Sequence, residues 1–343
     1  MSNSQIRRPA EWEPHAATIL VWPHNRDTWP DEMLARAESV FVELLKSICC
    51  DERVYLIVSN PETRIKAEST MDGLPYKDNI KLLQLPVNDM WVRDYGPICI
   101  KKGSKPHFLN FRFNAWGEKY PPWELDNSLA GRIAQKLNIP ETKVPLTLEG
   151  GGIECNGNGT LMTTESVLIN KNRKNGRKKD IEDYLHKYLG IAHIIWLAGG
   201  LKGDDTDGHI DNLARFIDHQ SVVTLQQTRK SDPNYEILEE NYRRLKKSRT
   251  AEGHPVRITD LPIPKVSMHR PAADGTETLP ASYANFYITN AAVILPLYDN
   301  RFDQQMTRLF EDLFPGRRII GIEAADLVWG QGSLHCITQE IYS

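Results

Sequence analysis

The stretch DEMLARAESVFVELLKSICCDERVYLIV, residues 31–58, reads as an amphipathic helix running directly into a buried strand. Met33, Ala37, Val40, Phe41, Leu44 and Ile48 recur at helical spacing on one face, with Asp31 placed to cap the first turn. The short apolar run RVYLIV at 53–58 follows as an interior strand. Working outward, a weaker helical pattern covers 61–71, IKLLQLP at 80–86 is a second strand, and a polar segment, NDMWVRDYGP at 88–97, comes next.

The same succession of helix, strand, polar loop and further strand recurs about five times, at intervals of roughly 40 to 70 residues and with no repeated letters. Amphipathic helices are expected at about 124–138, 178–190, 233–248 and 302–314. Strands are expected at AHIIWL (192–197), PVRITDL (255–261) and RRIIGIEA (317–324). The unit places five polar segments at equivalent strand ends: NDMWVRDYGP, EGGGIE (149–154), GDDTDGHID (203–211), SYANFYI (282–288) and GQGSLHC (330–336). Loops gathered at one end of a scaffold commonly form its site. No Pro/Ser/Gly linker divides the chain, so a single domain over 1–343 is expected. The basic runs KNRKNGRKK (171–179) and RRLKKSR (243–249) read as solvated loops or helix faces.

With 42 basic and 45 acidic residues and a net charge of -3, the chain lacks the basic excess that nucleic acid or anionic membranes attract. No segment approaches the roughly 20 apolar residues needed to cross a bilayer, and the N-terminus has no signal-like apolar stretch. A soluble, cytoplasmic protein is the expectation. Five scattered cysteines, none in a CxxC pair, point to reduced thiols rather than a disulfide framework or zinc site.

Chemistry concentrates in the polar segments. Cys336 follows two glycines and stands beside His335; it is either an inert buried thiol or a nucleophile, which needs a cation, helix end or base nearby. Cys49, Cys50 and Cys99 sit in apolar contexts and read as inert, while Cys155 directly follows the glycine-rich segment. GDDTDGHID crowds aspartates around His209, with Asp211 two residues on and able to share a face with it. A metal reading is disfavoured because the other histidines lack HxH or HExxH spacing. NDMWVRDYGP contributes Trp91 and Asp94, and EGGGIE places Glu149 before three glycines. A thiol, a histidine and several carboxylates at one end of a fold suit a planar cation, whose fork an aspartate matches in bidentate fashion.

Taken in order, WVRDYGP, EGGGIE, GHIDN, SYANFYITN and GQGSLHC-x-T-Q resemble the agmatine deiminase and Porphyromonas-type peptidylarginine deiminase family, within the guanidino-group-modifying superfamily. The opening AEWEPHAATILVWP is similar to that family too, so the resemblance spans about residues 9–339. It implies a five-bladed α/β propeller of pseudo-symmetric ββαβ units. By position it implies Cys336 as nucleophile, His209 as general acid/base, Asp94 and Asp211 as guanidinium ligands, Glu149 orienting the histidine and Trp91 lining the pocket. The chain departs from the frequent GGGNIHC-x-TQQ pattern at Gln331, Ser333, Leu334 and Glu340, where the remainder of the substrate would be felt.

The implied reaction is hydrolysis of a small cationic guanidino substrate, agmatine first among them, through an amidino-Cys336 intermediate without cofactor or metal. Peptidyl-arginine or free arginine is the alternative substrate; Arg112 and Arg215 are candidates to meet a free carboxylate or to be structural. Amidino transfer to an amine and a non-catalytic guanidino-binding protein are the rival classes. Base rate and resemblance both point to a homodimer.

Overall fold

The computed structural model describes residues 6–266 and 279–343. Their strands form five separate sheets of three or four strands, a mixed α/β architecture. Each sheet holds the same unit. Two strands pair antiparallel, a helix crosses over, and a third strand returns parallel to the second. Ile98–Lys102 and Lys105–Arg112 are followed by helix Leu129–Leu137 and strand Glu141–Thr147. Ile153–Cys155 and Thr160–Thr164 are followed by helix Lys178–Leu189 and strand His193–Leu197. Ala214–Phe216 and Ser221–Gln226 are followed by helix Tyr235–Lys247 and strand Arg257–Pro262. Tyr287–Ile288 and Ala292–Leu297 are followed by helix Asn300–Leu313 and strand Arg318–Glu323.

The fifth unit is closed by the chain ends. Gln339–Tyr342 pairs antiparallel with His15–Val21, and helix Met33–Cys49 then leads to the parallel strand Val54–Val58. A parallel return requires a crossover, and an amphipathic helix buries its apolar stripe on the sheet while making it. Met33, Ala37, Val40, Phe41, Leu44 and Ile48 are all buried accordingly. The five polar segments follow the last strand of one unit and lead into the first of the next, EGGGIE and SYANFYI ending within that first strand. None of the described helices is long and apolar enough to cross a membrane.

Three local expectations are corrected. The first long helix begins at Met33 with Glu32 at its cap position, because Asp31 adopts a left-handed φ of 53°. The pattern at 124–138 is two helices, Glu124–Asn127 and Leu129–Leu137, the second ended by left-handed Asn138. The basic run at 171–179 is not wholly a solvated face, since Arg173 is fully buried. Its guanidinium is drawn inward by carboxylates, which outweighs the desolvation that usually keeps arginine outside.

The terminal strand also fixes a buried charge. Glu340 pairs with Arg93 at 2.8 Å and with Arg8, and these guanidinium groups hold its carboxyl well below the usual range despite complete burial. Glu340→Gln would remove the carboxylate shared by buried Arg93 and partly buried Arg8, so a loss of about 3–5 kcal/mol is expected in urea denaturation. An unchanged midpoint would show the pairing to be dispensable.

Candidate active site

Five loops meet at one place. Asp94 sits in the short helix Val92–Tyr95, Glu149 before the turn Gly150–Gly152, His209 and Asp211 at the turn Ile210–Asn212, Asn285 in the fourth polar segment, and Cys336 in the turn His335–Ile337. Asp94, His209, Cys336 and Trp91 line a cavity of about 420 Å³. Asp211 and Glu149 are fully buried behind them. All six residues singled out from the sequence are thus brought together.

Cys336 Sγ lies 3.8 Å from Asp211 Oδ2 and receives an N–H from Asn285 Nδ2 at 3.3 Å. Asn285 is locked in turn, donating to Asn212 Oδ1 at 2.9 Å and accepting the His335 backbone N–H at 2.9 Å. Burial raises the Cys336 thiol well above its ordinary value, and the carboxylates of Asp211 and Asp94 push it further in the same direction. In the free protein this thiol is therefore protonated at neutral pH.

His209 has the opposite bias. Burial favours its neutral form, yet Asp94, Glu149 and Asp211 outweigh burial and hold the imidazole at about 9. Its Nδ1 is 3.6 Å from Asp94 Oδ1 and its Nε2 is 3.9 Å from Glu149 Oε2, both beyond hydrogen-bond length. The His209 Nε2, Glu149 Oε2 and Asp211 Oδ1 atoms are buried without hydrogen-bond partners among the described residues. Glu149 Oε2 and Asp211 Oδ1 are thus open to accept hydrogen bonds, whereas the protonated His209 Nε2 is open to donate one.

The carboxylates are set by their backs. Asp94 accepts from Gly151 N–H and from Trp116 Nε1, each at 2.9 Å. Asp211 Oδ2 faces His335 Nδ1 at 2.8 Å, while His335 Nε2 faces Glu11 at 2.8 Å. Burial would raise the Asp211 carboxyl, but His335, His209 and Arg215 bring it below its ordinary value. Glu149 is held by Arg173 at 2.8 Å and lies low for the same reason. Gly151 is obligatory here, since a Cβ on it would stand 2.6 Å from His209 Nδ1 and 2.9 Å from Asp94 Oδ1.

Asn285, Arg173, Trp116 and His335 are contributors that sequence reading did not single out. Asn285 had a signal, because the fourth polar segment occupies the repeat position of the other four. Arg173 was masked by the lysines around it, and Trp116 carried no pattern. Neither Arg112, which is exposed, nor Arg215, which is buried against Glu11 and Glu154 at 2.9 Å each, lines the cavity. Cys155 is buried in its strand with its thiol raised to about 12, chiefly by burial, and lies outside the cavity.

The departures from the frequent loop pattern now separate. Leu334 is core, Glu340 answers Arg93 and Arg8, and Ser333 bonds Tyr298 at 2.7 Å. Of the four, Gln331 alone lines the cavity, so the expectation that all four positions face the substrate is corrected.

Comparison with known proteins shows what the whole chain is similar to. The family model for Porphyromonas-type peptidyl-arginine deiminase matches residues 7–341. A Legionella pneumophila relative, provisionally named agmatine deiminase, is 37% identical over 335 residues, covering 97% of this chain and 93% of its own. The structure of an Enterococcus faecalis agmatine deiminase is similar at TM-score 0.89 and 30% identity, over 98% of this chain and 95% of that one. A cysteine-to-serine variant of C. jejuni agmatine deiminase with substrate bound gives TM-score 0.88 at 32% identity, over 98% and 96%.

Asp211→Asn removes a negative charge 3.8 Å from Cys336 Sγ, so the thiol should ionise more readily. Alkylation of Cys336 by iodoacetamide at pH 8 is expected to accelerate by on the order of ten-fold, one pKa unit being a tenfold change in thiolate. A slower or unchanged rate would contradict the electrostatic account.

Proposed function

This chain belongs to the Porphyromonas-type peptidyl-arginine deiminase family, and from that membership we propose that it hydrolyses agmatine to N-carbamoylputrescine and ammonia through a covalent amidino-Cys336 intermediate. The observation that carries the reading is a single cavity walled by Cys336, His209 and Asp94 whose other ionisable residues are almost all acidic. Five aspartates, Asp27, Asp89, Asp94, Asp126 and Asp205, line it against one lysine, Lys119, and no arginine. Lys119 is already paired with Asp207 at 2.8 Å. Free arginine would bring a carboxylate into this field without a partner. A peptidyl-arginine side chain would bring one cation where the walls offer room for two. Agmatine, cationic at both ends, fits on charge. Burial raises the carboxyls of Asp89 and Asp94, and that of Asp126 to about 8, which favours their neutral forms; a cation brought beside them would act against burial and favour ionisation.

In the reaction, Asp94 and Asp211 grip the guanidinium and hold its central carbon over Sγ. The incoming positive charge offsets the two aspartates that help keep the thiol protonated, and Cys336 loses its proton to solvent. The thiolate adds to the central carbon, and His209, protonated below about 9, donates to the departing nitrogen, which leaves as ammonia. The amidino group remains bonded to sulfur. Neutral His209 then takes a proton from water as its oxygen adds to that carbon. Collapse breaks the C–S bond as the hydroxyl proton passes to the departing sulfur, releasing the ureido product and restoring the Cys336 thiol. Glu149, anchored by Arg173, keeps the imidazole charged and oriented. The five ββαβ units would be the blades of one propeller-shaped domain with this cavity at its centre.

Ammonia release from agmatine, arginine, blocked arginine and an arginyl peptide tests the substrate. Agmatine should give the highest kcat/KM, and higher values for an arginine compound would move the assignment. Cys336→Ala should abolish release; full turnover by that variant would end the covalent scheme. The wild-type kcat/KM for agmatine should decline as pH rises through about 9, because His209 must carry a proton to the leaving nitrogen. Binding of agmatine without ammonia from any guanidino compound would favour a non-catalytic binder.

A further inference from the structure

One side chain in the cavity wall has no work to do in the protein alone. Gln331 is 7% exposed and lines the same cavity as Cys336. Neither its Oε1 nor its Nε2 has a hydrogen-bond partner among the described residues. An unpaired buried amide is costly unless something arrives to satisfy it. Gln339 is also unpartnered, but it lies outside the cavity.

The backbone adds a second cost. Gln331 has a φ of 73°, a left-handed conformation that a long side chain rarely adopts. Its neighbours hold it there. A Cβ on Gly330 would come within 2.4 Å of the Trp29 ring and one on Gly332 within 2.2 Å of the Trp91 ring, so the loop is pressed between two indoles. A glycine at 331 would avoid both penalties.

The guanidinium end of the cavity is already furnished. Asp94, Asp211, His209 and Cys336 surround it, and the Gln331 carboxamide bonds to none of them. What is left to recognise is the far end of the substrate. We propose that Gln331 is a specificity-determining residue whose Oε1 accepts a hydrogen bond from the terminal ammonium of an ω-aminoalkylguanidine, selecting for the amine rather than for the guanidinium. The proposal rests on the deiminase reading above. It assigns the acidic wall the long-range attraction and gives this neutral amide the directional contact that an N–H satisfies and a methyl group does not.

A substrate-by-protein cycle isolates that contact. Agmatine and n-butylguanidine share guanidinium and chain length but differ in the terminal amine. Their kcat/KM values are compared in the wild type, in Gln331→Gly, which suits the left-handed backbone, and in Gln331→Glu, which keeps an acceptor oxygen. The wild-type preference for agmatine should shrink roughly ten-fold in Gln331→Gly, a hydrogen bond to a charged group being worth about that factor. The loss should appear in KM, with kcat within about two-fold, and Gln331→Glu should retain the preference. Equal effects on both compounds, no effect on either, or loss of the preference in Gln331→Glu would overturn the assignment. If the wild type releases ammonia from neither compound, the agmatine reading itself falls, and this proposal with it.

Discussion

Negative charge buried beside a thiol is the constraint on which the rest of this structure depends. Asp94, Asp211 and Glu149 are withdrawn from water around Cys336 and His209, where like charges repel strongly and desolvation opposes ionisation. Such a cluster persists only if each carboxylate is answered from behind. Arg173 answers Glu149, and His335, itself bridged to Glu11, answers Asp211. Asp94 has no ion pair of that length and relies on a backbone N–H and an indole N–H. Its carboxyl is accordingly the one of the three that is raised.

That requirement propagates outward as a second layer. Glu11 is shared by His335, Arg215 and, at 3.5 Å, Arg93. Arg93 turns to Glu340, and Arg215 to Glu154. These residues come from the N-terminal segment, the polar loops and the C-terminal strand, so the charges behind the site also tie successive units together. The pairing of Gln339–Tyr342 with His15–Val21 has the same effect: it places Cys336 three residues before a strand anchored by the beginning of the chain. Loops otherwise free to move are held by the same contacts that compensate the charge. The unusual backbone of Ala115 and Trp116, with φ of 49° and 55°, belongs to this logic, since Trp116 must reach Asp94 from outside its unit.

Much of this was legible because the repeat is written in hydrophobic spacing. The helical face from Met33 to Ile48 and the strand after it are visible in the letters, as are the polar segments between units. Those segments then named Asp94, Glu149, His209, Asp211 and Cys336. What the letters hid depends on distance rather than pattern. Arg173 looks like its lysine neighbours until Glu149 is found across 24 positions of sequence at 2.8 Å. Asn285 has no charge or nucleophile to attract notice, and its value lies in a 3.3 Å contact to sulfur made from another unit. Glu340 and Gln331 look alike as departures from a loop pattern. Only their surroundings separate a residue that balances buried arginines from one that faces the cavity.

The two titrating groups lead to a further step. A thiol raised by its neighbours and an imidazole raised by the same neighbours cannot both be ready in the empty site: His209 carries its proton, but Cys336 does not release one. Placing a single guanidinium against Asp94 and Asp211 changes the balance. It neutralises the charges that suppress the thiolate, while Glu149 and Arg173, on the far side of the imidazole, are left undisturbed. In the proposed reaction the nucleophile would thereby be generated by the molecule it attacks, and a thiolate need not wait exposed to oxidants or adventitious electrophiles between turnovers. The arrangement also discriminates, since a neutral amide entering the same cavity would leave both carboxylates uncompensated and the sulfur protonated. Under that proposal, selectivity for a cation and activation of the thiol are one electrostatic event, imposed by the cost of burying aspartates beside sulfur.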